Sequence, residues 1–115
     1  MTNLKISTEE TGGVLVIHLE GFLDAHNHVL FRKAIEEAMN RKTSRMVVDF
    51  SKLVYVGSSG IEVILSVIQK LRDEGGDMVL CGISSKIFKV FDLLGLTTLL
   101  KITDSVEDAL KCFDG

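Results

Sequence analysis

The strongest constraint on the fold is a change of hydrophobic periodicity between residues 46 and 71. Met46-Val-Val48 is a short, continuous apolar run, which is typical of a strand buried on both faces of a sheet. We place this strand at residues 45–50 and expect a loop after it. Apolar residues then recur at helical spacing, at Ile61, Ile64, Leu65, Ile68 and Leu71. A buried strand followed by a long amphipathic helix indicates an α/β domain with parallel strands.

The junction between this strand and this helix carries the sequence Gly57-Ser-Ser-Gly60. Ser59-Gly-Ile-Glu62 fits a capping box, in which the Ser59 hydroxyl satisfies the Glu62 amide and the Glu62 side chain reaches back. Ser58 then lies one residue outside the helix, at the positive end of its dipole, beside two glycines that leave the approach open. Free backbone amides at such a position can hold a phosphoryl group. The alternative is a strand-to-helix turn with a redundant serine.

The other segments predict alternating strands and helices. Residues 4–8 and 14–19 alternate in polarity and could form a hairpin through Gly12-Gly13. Asp24 is a favourable N-cap for a helix over residues 25–40. Further along we expect a strand at residues 77–81, a helix capped by Ser84 or Ser85, a strand near 99–102 and a helix opened by Asp104-Ser-Val-Glu107. The order β-β-α-β-α-β-α-β-α predicts an α/β fold with a mixed, mostly parallel central sheet and helices packed on it.

The length favours one domain over residues 1–115, and the 46% of apolar residues agrees with a globular fold. A cytoplasmic location is expected from the two cysteines and the lack of a visible secretory signal. Thirteen basic and 16 acidic residues give a net charge of −3, which argues against a nucleic-acid partner because phosphate contacts need a basic patch. No stretch approaches the ~20 apolar residues of a membrane span, and no secretory signal is visible. Two cysteines, Cys81 and Cys112, favour free thiols in a reducing compartment.

The sequence lacks the patterns of common enzyme sites. Gly57-Ser-Ser-Gly60 is one residue shorter than the nucleophile motif of serine hydrolases, and no histidine follows it. Neither common phosphate-binding loop pattern is present. The spacing of the histidines favours solvated side chains over a metal site; they are His18, His26 and His28. We therefore expect no metal, no cofactor and no catalytic residues.

Two features have alternative interpretations. Asp49 ends the buried strand, and we interpret it as a turn residue that caps the loop at Ser51 or at neighbouring amides, rather than as a catalytic acid. Val63 and Val67 lie off the main apolar stripe of the central helix, so they are either covered by a neighbouring element or exposed.

Taken together, several of these segments resemble one family. Asp49-Phe-Ser, then Val56-Gly-Ser-Ser-Gly60 and an apolar helix, is similar to the signature of the anti-sigma factor antagonists, bacterial members of the STAS domain family. Gly21-Phe-Leu-Asp24 resembles the segment before the family's first helix. Later segments also resemble the family in its order, namely Leu80-Cys-Gly-Ile-Ser84, Val90-Phe-Asp-Leu-Leu-Gly-Leu96 and Ser105-Val-Glu-Asp-Ala-Leu110.

The resemblance implies a fold that agrees with the order above and a partner-switching role. In the family, the unphosphorylated antagonist binds an anti-sigma factor that is also a serine kinase, and this releases the sigma factor. The serine that matches Ser58 is phosphorylated, which breaks the complex, and a serine phosphatase restores it. The resemblance extends the site to the loop near Asp24 as a partner contact and to the helix start around the phosphosite, namely Gly57, Ser59, Gly60 and Glu62.

Gly57 departs from the family pattern, which commonly has Asp at this position. Loss of that carboxylate could alter the loop, the recognition by the kinase or the orientation of the hydroxyl, and it removes a negative charge that would oppose a dianion. Two functions therefore remain open. One is an antagonist switched by phosphorylation of Ser58; the other is a non-phosphorylated STAS scaffold subunit of a transport or signalling complex.

Overall fold

The structure is a computed structural model that describes residues 3–114, and its elements follow the predicted β-β-α-β-α-β-α-β-α order. The strands are β1 (Leu4–Thr11), β2 (Val14–Leu23), β3 (Arg45–Val56), β4 (Asp77–Cys81) and β5 (Lys101–Thr103). The helices are α1 (His28–Asn40), α2 (Ser58–Asp73), α3 (Ser85–Leu93) and α4 (Val106–Lys111). A short 3₁₀ turn at Leu96–Thr98 precedes β5.

The five strands form one sheet in chain order, β1-β2-β3-β4-β5. β1 pairs antiparallel with β2 across the turn at Gly12-Gly13, and the three other pairs are parallel. Each of the three parallel crossovers connects one strand to its next neighbour, always in the same direction across the sheet. Because such crossovers are right-handed, α1, α2 and α3 lie on the same face. The predicted mixed, mostly parallel sheet is confirmed.

Each face of the sheet buries its own apolar cluster. The larger cluster contains alternate residues of β2, beginning with Leu15, together with the inner faces of α1, α2 and α3. Val63 and Val67, whose burial the sequence left open, both belong to it. The smaller cluster lies under α4, on the opposite face, and consists of Val14, Val16, Val47, Val79, Cys81 and Ala109.

β3 is longer than predicted. The sequence pattern predicts that this strand ends at Phe50 and that a loop follows, but the strand continues to Val56. β2 also extends, and across two register shifts it provides partners for this part of β3, ending with Leu23 beside Val56. Because the backbone groups of residues 51–56 are paired in this way, the segment is a strand and not a loop.

Helix α1 begins at His28, so the prediction of Asp24 as its N-cap was wrong. The Asp24 carboxylate instead accepts a hydrogen bond from the amide of His26 at 2.9 Å. Asn27 occupies the N-cap position and is buried; its side chain accepts from the Asp24 amide at 2.9 Å and donates to the Phe22 carbonyl at 2.8 Å. A local Asx turn has therefore outcompeted an earlier helix start.

Three smaller differences concern element ends and one helix face. Leu65 was assigned to the buried stripe of α2 but is 38% exposed. The last strand starts only at Lys101, because the preceding residues form the 3₁₀ turn. Ser105, and not Asp104, caps α4 by accepting a hydrogen bond from the Asp108 amide. The Ser84 cap of α3 is confirmed, because its hydroxyl accepts from the Ile87 amide.

Gly60 lets the first turn of α2 pack closely against the sheet. A Cβ atom at this position would lie 2.6 Å from Cγ and Cδ2 of Leu23 and 3.1 Å from Cγ2 of Val56. Leu23 is fully buried and has little room to move. We expect Gly60→Ala to lower the free energy of unfolding by about 1–3 kcal/mol, as overpacked cores do. Urea denaturation would measure this, with Ser59→Ala as the control, and equal stability of both variants would contradict the close packing.

Candidate functional site

Helix α2 begins at Ser58, so the predicted capping box is wrong. Gly57 is the N-cap and has no side chain with which to cap, and Ser58 and Ser59 are the first two helical residues. Within residues 3–114, the structure gives no hydrogen bond between the Ser59 hydroxyl and Glu62, whose side chain is exposed. The Gly60 amide already donates to the Gly57 carbonyl at 3.1 Å, so the backbone itself closes the first turn.

Ser58 is exposed at the start of a 16-residue helix. The first amides of a helix have no acceptor within the helix, and the helix dipole gives this end a partial positive charge. A phosphoryl group on the Ser58 hydroxyl would therefore lie at a favourable place for an anion. Ser59, one position further on, is only half exposed. Of the two adjacent serines, Ser58 is the more accessible.

The start of α2 is fastened to strand β2. The Gly57 amide donates to the Leu23 carbonyl at 2.8 Å. Gly60 does not leave the approach to Ser58 open, as expected from the sequence; it is buried, and its bare Cα faces Leu23. Asp24 directly follows Leu23, so the loop after β2 and the start of α2 lie side by side where two parallel strands end. The structure thus brings the Asp24 loop and Ser58 to one edge of the sheet.

Gly57 is not required by its backbone conformation, since its φ of −94° and ψ of 176° are open to any residue. The space beside it is taken by Tyr55, because a Cβ at position 57 would lie 3.2 Å from the Tyr55 hydroxyl oxygen and 3.4 Å from its Cε2. Tyr55 in turn faces Phe22 on β2, with 6.4 Å between the ring centroids. The departure from the family's Asp is therefore accompanied by an aromatic ring beside the bare position.

A second polar cluster joins β1, β2 and β3, and the sequence analysis missed it. His18 Nδ1 lies 2.7 Å from Asp49 Oδ2, and His18 Nε2 lies 3.1 Å from Glu9 Oε1. The other Asp49 oxygen accepts from the Ser51 amide at 2.9 Å, as expected, but both residues lie within β3, so the interpretation of Asp49 as a turn former was wrong. His18 and Asp49 are register partners on β2 and β3 and line an open cavity of about 330 Å³. Only the strand register could have revealed this cluster.

The cluster changes the ionisation of its members. Burial alone would lower the pKa of His18, but hydrogen bonds and charges from Glu9 and Asp49 outweigh it, so the pKa lies above its ordinary value of 6.5. For Asp49, burial would raise the pKa, but the Ser51 amide and His18 lower it overall. Burial and the nearby Asp49 charge raise the pKa of Cys81 to about 12, so this thiol stays protonated.

The structure does not assemble the other histidines into a site. His26 is exposed and His28 is half buried at the start of α1. Across residues 3–114, no three His, Cys, Asp or Glu side chains form a group able to hold a metal ion. None of the helices in the described part of the chain combines the length and apolar character needed to cross a membrane.

The fold and the sequence agree with one known family. A model of the STAS domain matches residues 5–109, so the protein belongs to the STAS domain family.

Its relatives include proteins named as anti-sigma factor antagonists. The chain is 32% identical to the anti-sigma F factor antagonist of Paenibacillus polymyxa over 94% of this chain and 93% of that protein. It superposes on an anti-sigma factor antagonist from Mycobacterium paratuberculosis with a TM-score of 0.88, at 21% identity and coverage of 97% and 95%. The Bacillus cell fate determinant SpoIIAA in its phosphorylated form gives a TM-score of 0.75, at 26% identity and coverage of 94% and 98%.

The His18 cluster predicts a pH dependence of stability. A folded-state pKa above the unfolded value stabilises the protein below the unfolded pKa, and this contribution is lost as pH rises through the folded pKa. We expect the wild type to lose more unfolding free energy than His18→Gln between about pH 5.5 and about pH 8. Urea midpoints measured across this interval test it, with the exposed His26→Gln as the control. Parallel curves for wild type and His18→Gln would contradict the assignment.

Proposed function

We propose that this protein is an anti-sigma factor antagonist whose binding is switched by phosphorylation of Ser58. In this role, the unphosphorylated protein binds an anti-sigma factor that is also a serine kinase, and the bound sigma factor is released. Phosphorylation of Ser58 dissociates the complex, and a serine phosphatase regenerates the binding form. The protein acts as a binding module in the cytoplasm, without a cofactor, and not as an enzyme.

The observation that carries this proposal is the exposed Ser58 hydroxyl at the first position of α2, in a member of the STAS family. The Gly57 amide holds this helix start to the Leu23 carbonyl, so the serine is presented on a rigid scaffold. A kinase can reach the hydroxyl from solvent. A partner that covers the same edge of the sheet, including the loop at Asp24, would contact the serine directly.

One phosphate has opposite effects on the fold and on the complex. It adds about −1.5 to −2 charges at neutral pH. At the positive end of α2 this charge is tolerated by the fold and can stabilise the helix. Inside an interface the same charge must lose its hydration, which is costly unless the partner neutralises it. A penalty of about 3 kcal/mol would lower affinity more than a hundredfold, which is sufficient for a switch.

The second candidate function is a STAS scaffold subunit that is never phosphorylated, and Gly57 is the observation that favours it. The position lacks the carboxylate that is common in the family, so a kinase that needs this carboxylate would not recognise the segment. In that role the protein would sit in a constitutive transport or signalling complex. Neither added ATP nor Ser58→Ala would then change the recovery of this complex.

Substitutions at Ser58 test the switch. We expect Ser58→Ala to bind the anti-sigma factor kinase within about threefold of the wild type, because only a hydroxyl is lost, and to remain bound when ATP is added. Ser58→Glu should bind at least about tenfold more weakly because a charge enters the interface. Ser59→Ala is the control and should behave like the wild type, both without ATP and after its addition. Binding of Ser58→Glu as tight as that of the wild type would contradict the charge mechanism.

The phosphorylation itself can be observed by mass spectrometry of the protein isolated from its own cells. Lys52 and Lys70 flank the site, so trypsin releases residues 53–70 as one peptide. We expect a population with one added phosphate, located on Ser58 by fragmentation and not on Ser59 or Ser66. A single unmodified mass across growth and stress conditions would instead favour the constitutive scaffold.

A further inference from the structure

An exposed aromatic pair lies on β2 and β3, next to the start of α2, and the proposed switch at Ser58 does not use it. Phe22 on β2 and Tyr55 on β3 are register partners, and their tilted rings have centroids 6.4 Å apart. Phe22 is 42% exposed and Tyr55 is 49% exposed. We call these two rings the aromatic platform. Phe22 and Tyr55 form the second-last residue pair of the two strands, just before Leu23 and Val56. Ser58 lies just beyond this end of the sheet.

Bare Gly57 connects the platform to the serine. A Cβ at position 57 would lie 3.2 Å from the Tyr55 hydroxyl oxygen, 3.4 Å from Cε2 and 3.6 Å from Cζ, so the ring lies against the glycine. Ser58 is the next residue. The Tyr55 ring therefore extends alongside the backbone that carries the phosphorylatable hydroxyl.

The two segments that form this surface are uncharged. No charged residue occurs between Lys52 and Glu62, nor between Glu20 and Asp24. A partner that covers the platform and Ser58 thus meets two rings, a bare backbone and a neutral hydroxyl, with Asp24 and Glu62 as the charged residues at the margins. Such a surface binds through burial of apolar area and has few charges with which to attract an oppositely charged partner.

We propose that the aromatic platform of Phe22 and Tyr55, with Gly57 left bare to accommodate it, is the main contact for the anti-sigma factor that Ser58 controls. This inference rests on the proposed function. The occupant is an apolar element of that partner, which packs on the two rings. Phosphorylation of Ser58 places a strongly hydrated dianion beside the Tyr55 ring, and the water held by this dianion prevents dry contact with the platform. An arginine cluster on the partner is excluded, because it would bind the phosphorylated form more tightly.

The position of the Tyr55 ring can be tested without any partner. Tyr55 is the only tyrosine and the chain has no tryptophan, so tyrosine fluorescence reports on this ring alone. We expect Gly57→Leu to increase quenching by acrylamide, because a side chain that extends beyond Cβ needs the space that the ring occupies. Ser59→Ala, in the same helical turn, should leave quenching as in the wild type. Unchanged quenching in Gly57→Leu would overturn the packing of the ring on the glycine.

Binding of the purified anti-sigma factor kinase tests the contact. We expect Tyr55→Ala to weaken binding of the unphosphorylated protein about tenfold or more, as removal of a buried aromatic anchor does, while Tyr55→Phe stays within about threefold. Leu93→Ala is the matched control, because Leu93 is an apolar side chain that is 81% exposed on α3. Each variant must first show the circular dichroism spectrum and the unfolding midpoint of a folded protein.

A double-mutant cycle separates this inference from the proposed function. If the phosphate acts through the platform, Ser58→Glu should cost much less affinity in the Tyr55→Ala background than in the wild type. A loss of binding in Ser58→Glu together with full binding by Tyr55→Ala would overturn the platform and leave the switch intact. Full binding by Ser58→Glu would overturn the switch itself. Dissociation of a homodimer by Tyr55→Ala, measured by sedimentation, would assign the platform to a second copy of the chain and also overturn the inference.

Discussion

The parallel pairing of β2 with β3 is the interaction on which the rest of this structure depends. The ladder runs from Leu15 beside Met46 to Leu23 beside Val56, and two register shifts bend its second half. The Gly57 amide extends the ladder by one further hydrogen bond to the Leu23 carbonyl. Ser58 is therefore held by the sheet and not by a flexible loop. A partner that recognises this edge pays little to order it, because the contact is formed in advance.

The charged cluster that affects stability lies apart from the surface proposed for partner binding. The His18 cluster places an imidazole between two carboxylates on the strands, where it contributes to pH-dependent stability. Residues 53–61, which present Ser58, carry no charged side chain, so the local electrostatic features are the helix dipole and the flanking carboxylates of Asp24 and Glu62. A phosphate added there changes the local field strongly, because few neighbouring charges mask it. The His18 cluster and the proposed switch at Ser58 are thus separate electrostatic regions.

Periodicity was sufficient to predict the order of elements, because each strand and helix of this chain carries its own apolar pattern. The boundaries failed where a partner distant in sequence decides the outcome. Residues 51–56 read as a loop because nothing local shows that β2 extends to pair with them. The Asp24 cap failed because the buried Asn27 forms a better network with the same loop.

The parts of the candidate site that depend on neighbouring residues in the sequence could be predicted, and the contacts between distant segments could not. Ser58 follows from the helix start and from family resemblance, although the structure moves it into the first turn. Tyr55 and Gly57 could be read in the sequence, but their contact could not, since it depends on the direction of one ring. The Glu9–His18–Asp49 cluster requires the register of three strands, which a single sequence does not provide.

The short helix α4 determines where local unfolding is expected to begin. Its six residues are too few to form a stable helix alone. The helix is therefore held on its face of the sheet by a small apolar cluster that includes Ala109 and Cys81. The opposite face is secured by three longer helices and a much larger cluster. Local unfolding should therefore begin at α4 and expose Cys81 to thiol reagents. Helix α2, which carries Ser58, should stay folded during this opening. The sheet separates a layer of low local stability from the layer that carries Ser58.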